Sequence, residues 1–322
     1  FTFRQTHASD NTTSLAQNNG SLQRIAGVFS IDTALGISVG FGFQPYSSVR
    51  YLISRASSVT GAGQELTSNS EFEGKGGVST AYIGGTVRLL DELMLGVSGQ
   101  YNFGKISSNV TTSFNDGNYL PSALQNTDAF NGGGFTVGVI YTGIPSLTLG
   151  AIINANASAT VAHDERYISS ITLDTTIKEN TETDLPLTLG FGAAYTTGKF
   201  MLTGEVATSD FSTLSIRKPE FVSFRRANRV SVGASRLANP GASTTLDRWA
   251  YNIGAGYQQL YYVVNDQGID EMYGSFGVQI PIARSTYLDS AATGGMRGTT
   301  DKGLIREVFA RLSFSISIGE NW

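Results

Sequence analysis

The sequence has no cysteine and only two histidines, His7 and His163. Without cysteine there can be neither a disulfide framework nor a thiolate metal site. Neither histidine has neighbours at a metal-ligand spacing. We therefore expect no bound metal and no cofactor.

Two other features are scarce. The sequence has 22 Lys and Arg and 26 Asp and Glu, so positive charge is not in excess. The composition therefore does not indicate a basic surface that binds nucleic acid. No apolar run reaches the roughly 18 residues of a transmembrane helix. The mean hydropathy of −0.05 still allows a membrane β-barrel, in which each lipid-facing residue is followed by a polar one.

The start of the sequence also lacks a secretion signal. Phe1 to Arg4 contain no charged region followed by an apolar core. These residues read like the middle of a strand. We expect either that a signal peptide and further residues have been removed, or that the N-terminal part of the protein is missing from this sequence.

The clearest pattern present is the alternation at the end of the chain, which predicts a strand with one apolar face. The polar parity holds Glu307, Arg311, Ser313, Ser315 and Ser317, and the apolar parity holds Val308, Ala310, Leu312, Phe314, Ile316 and Ile318. With the final Trp322, the set Phe314, Ile316, Ile318 and Trp322 resembles the signal by which outer-membrane barrels address their assembly machinery. An amphipathic edge strand of a soluble sandwich is the alternative interpretation.

Similar alternation recurs along the chain and predicts about fourteen strands. Tight turns near Asp32, Asp91, Gly143, Gly198 and Arg284 alternate with longer connections, which is typical of an outer-membrane barrel. The third strand, Leu35 to Ala56, contains Pro45, which cannot donate to a ladder and therefore marks a kink or gap. We predict an all-β fold, a transmembrane antiparallel β-barrel spanning residues 1–322 as one domain.

Several candidate sites can be weighed from sequence alone. Gly36 to Gly40 match the G-x-S-x-G pattern, but inside an alternating strand rather than at a strand-to-helix elbow, so we expect no catalytic residue. A barrel enzyme with residues on separate strands stays the weakest hypothesis. The charges Arg50, Glu205, Arg229, Glu307 and Arg311 have lumen parity and fit either an ion-pair network or, for Arg50 and Arg311, recognition of a ligand carboxylate. The inward Ile140, Ile152 and Phe309 could receive an acyl chain or pack under a plug.

Several stretches resemble the FadL-type outer-membrane transporters. They are Leu185 to Gly192 followed by Gly204-Glu205-Val206, Ser146 to Ala151, Asn252 to Tyr257, Pro281-Ile282 with Leu288-Asp289, Gly295 to Gly298, and Gly42 to Val49. The resemblance implies a fourteen-stranded barrel, blocked by an N-terminal hatch, whose kinked third strand opens the wall sideways. The hatch motif is not found in this sequence.

The resemblance also implies a function. We expect passive uptake of small hydrophobic molecules such as long-chain fatty acids across a bacterial outer membrane, with lateral exit at Gln44, Pro45, Tyr46, Ser47 and Ser48. The partners would be membrane lipid, the hydrophobic molecule and the barrel assembly machinery. The alternative is a structural or assembly barrel that partners another outer-membrane protein without transport.

Overall fold

The computed structural model describes residues 1–10, 14–61, 64–116, 119–169, 175–214, 216, 218, 220–283 and 285–319. It is an antiparallel all-β sheet with two single-turn 3-10 helices, Leu246–Arg248 and Asp301–Gly303. No helix among the described residues is long and apolar enough to cross a membrane. Trp322 lies outside the described residues.

The sheet contains seventeen strand segments. They are β1 Thr2–Ser9, β2 Ser14–Ser21, β3 Ile25–Asp32, β4 Ile37–Gly61, β5 Gln64–Leu90, β6 Leu93–Phe114, β7 Ser122–Ile144, β8 Leu147–Ser169, β9 Thr175–Asp184, β10 Thr188–Thr197, β11 Phe200–Asp210, β12 Val222–Phe224, β13 Arg226–Arg236, β14 Ala250–Val264, β15 Gln267–Ala283, β16 Thr286–Arg297 and β17 Arg306–Ile318.

The first and last segments are neighbours. β1 pairs with β17 from Thr2 opposite Ser313 to Ser9 opposite Arg306, and with β2 on its other edge. The chain then runs through β3, which pairs with β4, and onward through consecutive antiparallel neighbours to β17. The alternating segment at the end of the sequence is thus a strand, β17, which pairs with β16 on one edge and with β1 on the other.

The faces of the sheet differ sharply in polarity. Alternate residues of β17 such as Leu312 and Ile316 are 51% and 65% exposed, whereas Phe309 on the opposite face is only 3% exposed. We call the face with exposed apolar side chains outward and the other inward. Among the described residues only seven apolar side chains are buried, which is far too few for the core of a soluble sandwich of this length.

Strand lengths divide the sheet into two regions. β4 to β8 contain 22 to 27 residues each, whereas roughly 9–11 residues cross a bilayer. At one end of the sheet, near Leu90 and Ile144, these strands are joined by tight turns, and we call this the turn end. The opposite ends, which we call the loop end, reach far beyond the shorter strands β10 to β17.

Several connections differ from the prediction. The polar stretches 57–77 and 164–184 lie mostly in β4, β5, β8 and β9 rather than in long connections, because their backbones pair with neighbouring strands despite a polar sequence. The connection at Asn265-Asp266 is a two-residue turn in which both residues have positive φ, 50° and 58°. The asymmetry between the two ends is therefore one of strand length rather than loop length.

Candidate functional site: an inward cavity beside an open slot

The inward faces of β3 to β13 enclose a cavity of about 1040 Å³. Most of its lining is glycine, serine, threonine and alanine, with apolar side chains from Val28, Met94, Ile140 and Ile152. Small side chains at inward positions leave the space that large ones would fill. Ile140 and Ile152 lie in this cavity at 43% and 48% exposure, on the inward face that their parity predicts.

One ion pair lies in the cavity wall. An Arg229 guanidinium nitrogen donates to a Glu205 carboxylate oxygen across neighbouring strands. Both side chains are about half exposed, at 47% and 48%. The pair is electrically neutral, so the cavity presents no net charge from these two residues.

The loop-end boundary of the cavity is a set of hydrogen-bonded amides, which we call the amide cluster: Gln100, Asn102, Asn154 and Asn156 with Thr80 and Thr136. Gln100 Nε2 donates to Asn154 Oδ1 at 3.1 Å and to Asn156 Oδ1 at 2.7 Å. The Thr80 hydroxyl donates to Asn102 Oδ1 at 2.6 Å, and both residues are buried. Thr136 belongs to both the cluster and the cavity wall.

Asn156 also explains the interruption between β9 and β10. The β8 ladder pairs Ser158 with Asp184 and then Asn154 with Thr188, which leaves Leu185 to Leu187 outside the ladder with β8. Asn156 Nδ2 donates to the Pro186 carbonyl oxygen at 3.4 Å. The side chain thus replaces a backbone donor where the strand is broken.

The second feature is a region where two strands run side by side without a ladder. β3 pairs with β4 only as far as Ile25 opposite Phe43, and within the described residues β2 forms no ladder with β4. Two side-chain contacts span the space: Arg24 donates to Gln44 Oε1 at 2.7 and 3.1 Å, and Gln17 Nε2 donates to the Arg50 carbonyl oxygen at 3.2 Å. We call this region the open slot.

Of the predicted gate residues, Gln44 contacts Arg24 across this slot, and the role of all five as a gate stays a prediction. Pro45 lies one residue past Gln44, and the ladder between β4 and β5 continues across it with a bulge at Tyr46. The wall is thus intact on the β5 side of Pro45 and open on the β2 side. Ser47 Oγ accepts a hydrogen bond from the Val78 amide at 3.3 Å, while Ser48 is exposed.

The bulge changes which face the following residues occupy. Phe43 shares the outward face with Ala81 and Tyr101, but beyond Tyr46 the cross-strand neighbours of Arg50 are Lys75 and, one strand further, Ser107. Ser107 is on the same outward parity of β6 as Phe103, whereas the buried Asn102 is inward. The inward parity predicted for Arg50 is therefore wrong, because one extra residue reverses the alternation.

Phe309 and Arg311 belong to a separate group on β1 and β15 to β17, which we call the arginine cluster. The Arg4 and Arg311 guanidinium groups lie 4.7 and 5.4 Å from the centroid of the Phe309 ring. Glu307 contacts Arg4 at 3.5 Å and Arg297 at 3.4 Å, and Glu271 pairs with Arg297. Arg311 has no acidic partner among the described residues.

The other sequence candidates are placed as follows. Ser38 of the G-x-S-x-G pattern begins β4 and has no elbow geometry. His163 Nδ1 lies 2.6 Å from Asp128 Oδ1, and no group of three potential metal ligands occurs among the described residues. The open slot and amide cluster were missed from sequence, because β2 lies in a polar stretch without alternation.

Comparisons with known proteins place the fold. The structure is similar to the toluene transporter TodX of P. putida, with 12% identity, 98% of this chain and 87% of that chain covered, and a TM-score of 0.59. It is also similar to the toluene transporter TbuX of Ralstonia pickettii (12%, 99% and 88%, 0.60) and to a FadL homologue of Pseudomonas aeruginosa (11%, 98% and 87%, 0.57). At such identities the likeness establishes the fold.

The sequence comparisons give one result. Curated proteins produced no significant match. The family model described as BamG matches residues 1–322. This match covers the whole sequence, and the chain therefore belongs to the BamG family.

Proposed function

We propose that this chain is a single-domain outer-membrane β-barrel and a passive channel for small hydrophobic molecules. Merging β2 with β3, β9 with β10 and β12 with β13, each joined by one to three residues, reduces the seventeen segments to fourteen wall crossings. An even number and tight turns at one end support this architecture. The exposed apolar outward face supports contact with lipid.

The observation that carries the proposal is the position of the open slot relative to the cavity. Val28, Ser38 and Gly40 of β3 and β4 line the cavity. A few residues further along the same strands their ladder stops, and Gln44 there pairs with Thr80 of the amide cluster. A molecule in the cavity would thus lie next to a break in the wall, and we propose lateral exit there.

The class of ligand follows from the lining. Glycine-rich and apolar walls, with one neutral ion pair, favour uncharged or weakly polar molecules. The arginine cluster adds a second point of selection, since Arg311 has no acidic partner among the described residues and could receive a carboxylate. Toluene is an example of the uncharged type, and two of the structural neighbours are named as toluene transporters. A fatty acid is an example of a ligand with a carboxylate.

The test fills the cavity and uses a matched control. A Cβ on Gly192 would point into the cavity with only the Gly204 carbonyl near it, at 3.6 Å. Gly99 of β6 does not line the cavity, and a Cβ there would meet nothing within 4 Å on the outward face that it shares with Ile83 and Phe135. Gly192→Leu should lower uptake of a hydrophobic fluorescent dye by proteoliposomes, whereas Gly99→Leu should leave it unchanged. Equal rates in parent and Gly192→Leu would refute transport through this cavity.

A second candidate is a structural role in assembling other barrels, without transport. The family name BamG points to the barrel assembly machinery. The loop-end halves of β4 to β9 favour this role, because a channel does not need strands of 27 residues and the β9 edge away from β8 carries no ladder among the described residues. Copurification with assembly subunits, together with normal dye uptake by Gly192→Leu, would support this role over transport.

A further inference from the structure

The outward side chains of β4, β5 and β6 form rows across neighbouring strands. Directly opposite residues of adjacent strands share a face, about 5 Å apart. Toward the turn end, the rows contain Phe43, Tyr101 and Phe103, whose side chains are 36%, 51% and 37% exposed. Their rings lie close together, with centroid separations of 6.1 Å for Phe43 and Phe103 and 5.8 Å for Tyr101 and Phe103.

The next rows toward the loop end are cationic. Ser48, Gly77 and Lys105 form one row, and Arg50, Lys75 and Ser107 form the next. All three basic side chains are exposed. We call Arg50, Lys75 and Lys105 the cation row. Ser48 and Gly77, which lie next to the aromatic rows on the same face, have small side chains and leave space on the outer surface of the sheet.

The charge balance of this face is positive. Lys75 pairs with Glu73 at 3.2 Å, and Glu73 also accepts from Asn109. Arg50 and Lys105 have no acidic partner among the described residues. Arg50 and Lys75 are directly opposite, an arrangement of like charges that destabilises a ladder unless an anion lies between them.

A depression lies at the same place. It has a volume of about 510 Å³ and is lined by Gln17 and by residues 48–52 and 73–76, which include Arg50 and Lys75. It borders the open slot, since Gln17 donates to the Arg50 carbonyl. The basic side chains and the aromatic belt thus share the outward face, next to a depression whose lining includes Arg50 and Lys75.

We propose that the cation row binds the phosphate groups of an outer-leaflet glycolipid, whose acyl chains lie against Phe43, Tyr101 and Phe103. Aromatic belts mark the head-group level of a membrane. Guanidinium and ammonium groups are the usual partners of phosphate. The proposal rests on the proposed outer-membrane location but not on transport, because none of these residues lines the cavity.

The experiment measures binding of diphosphorylated lipid A to the purified full chain in detergent by native mass spectrometry. Arg50→Gln with Lys105→Gln should weaken binding roughly 30-fold, since each surface cation contributes about 1 kcal/mol toward an anionic lipid. The control, Lys178→Gln with Lys199→Gln, changes the net charge equally at two other exposed sites and should bind like the parent. Equal binding by all three proteins would overturn the proposal.

Two further arms identify the ligand and protect the result against misfolding. Lipid A stripped of its phosphates should bind poorly, and millimolar inorganic phosphate should not displace the intact lipid. The opposite result in either arm would overturn the assignment to a phosphorylated glycolipid held by both its phosphates and its acyl chains. Arg50→Lys with Lys105→Arg keeps both charges and should retain binding. Gly192→Leu should bind lipid A normally, so that failure of the transport proposal and failure of this one are distinguishable.

Discussion

Gln17 donates a hydrogen bond from its side-chain amide to the backbone carbonyl of Arg50 at 3.2 Å, where β2 and β4 have no ladder. This side chain supplies a contact at a place where backbone pairing is not found between these two strands among the described residues. At its other limit the slot is bounded by Arg24 and Gln44. Within the described part of the chain, β2 therefore contacts β4 through side-chain hydrogen bonds rather than through a ladder.

We predict that covalent closure of the slot will slow lateral release. Arg24 and Gln44 follow directly on the last β3–β4 pair and their side chains are in contact, so Arg24→Cys with Gln44→Cys places two thiols at the next position of that register. The sequence has no other cysteine to interfere. Dye uptake by proteoliposomes should fall under oxidation and recover with reductant.

The control for this crosslink is Ala292→Cys with Leu312→Cys, a directly opposed pair inside the continuous β16–β17 ladder. Oxidation of this pair should not change uptake. If the slot crosslink forms fully and uptake is unaffected, exit between β2 and β4 is excluded.

A second prediction concerns the amide cluster and stability. Thr80→Val keeps the shape of the side chain but removes the only hydroxyl that donates to the buried Asn102 Oδ1. Leaving a buried acceptor unpaired costs about 1–3 kcal/mol. The urea midpoint of unfolding, followed by heat-modifiable gel migration, should fall for Thr80→Val. Thr111→Val, at an exposed outward position of β6, should shift it by less than about 0.5 kcal/mol.

A third prediction tests the arginine cluster. If Arg311 receives a carboxylate, Arg311→Gln should weaken binding of a fluorescent fatty acid by about tenfold or more, because a hydrogen bond to a charged group contributes about 1.5–3 kcal/mol. The corresponding fatty alcohol should bind the parent and the variant equally. Arg306→Gln on the same strand is the control. Equal loss for acid and alcohol would mean that Arg311 supports the fold rather than a carboxylate.

A fourth prediction concerns pH. The Thr244 hydroxyl, which donates to Asp247 Oδ2 at 2.5 Å, and then Arg236 lower the pKa of the Asp247 carboxyl below its usual 3.8. A carboxyl whose pKa is lowered in the folded state contributes stability above its unfolded pKa and loses it as pH falls through the folded value. The connection 238–249 should therefore become more sensitive to pepsin as pH falls below about 4.

Thr244→Ala isolates the cause of that shift. Removing the largest contribution should raise the pKa of Asp247 toward its unfolded value, so that the sensitivity to pepsin begins at a higher pH than in the parent. Identical profiles for the two proteins would show that Asp247 does not hold this connection.

The sequence was sufficient for the features that local alternation determines. The period of two in β17 and the tight turns near Asp91 and Gly198 follow from residue types, because an apolar outward face and a turn each require a particular local composition. The inward positions of Ile140, Ile152 and Phe309 follow from the same parity. The β7–β8 ladder has register shifts at Gly132/Gly134 and at Tyr141/Ile144 but none between them, where Ile140 and Ile152 lie, and the ladders of β17 have none.

Only the tertiary structure decided the remainder. β2, β9 and the loop-end halves of β4 and β5 are strands because neighbouring backbones pair with them, and hydrogen bonds between backbones leave no mark on a polar sequence. The bulge at Tyr46 moved Arg50 outward, since one unpaired residue reverses every following side chain. The slot exists because the β3–β4 ladder ends at Ile25 and Phe43 and the described residues of β2 pair with β1 rather than with β4. The cavity exists because small inward residues of many strands meet around one space.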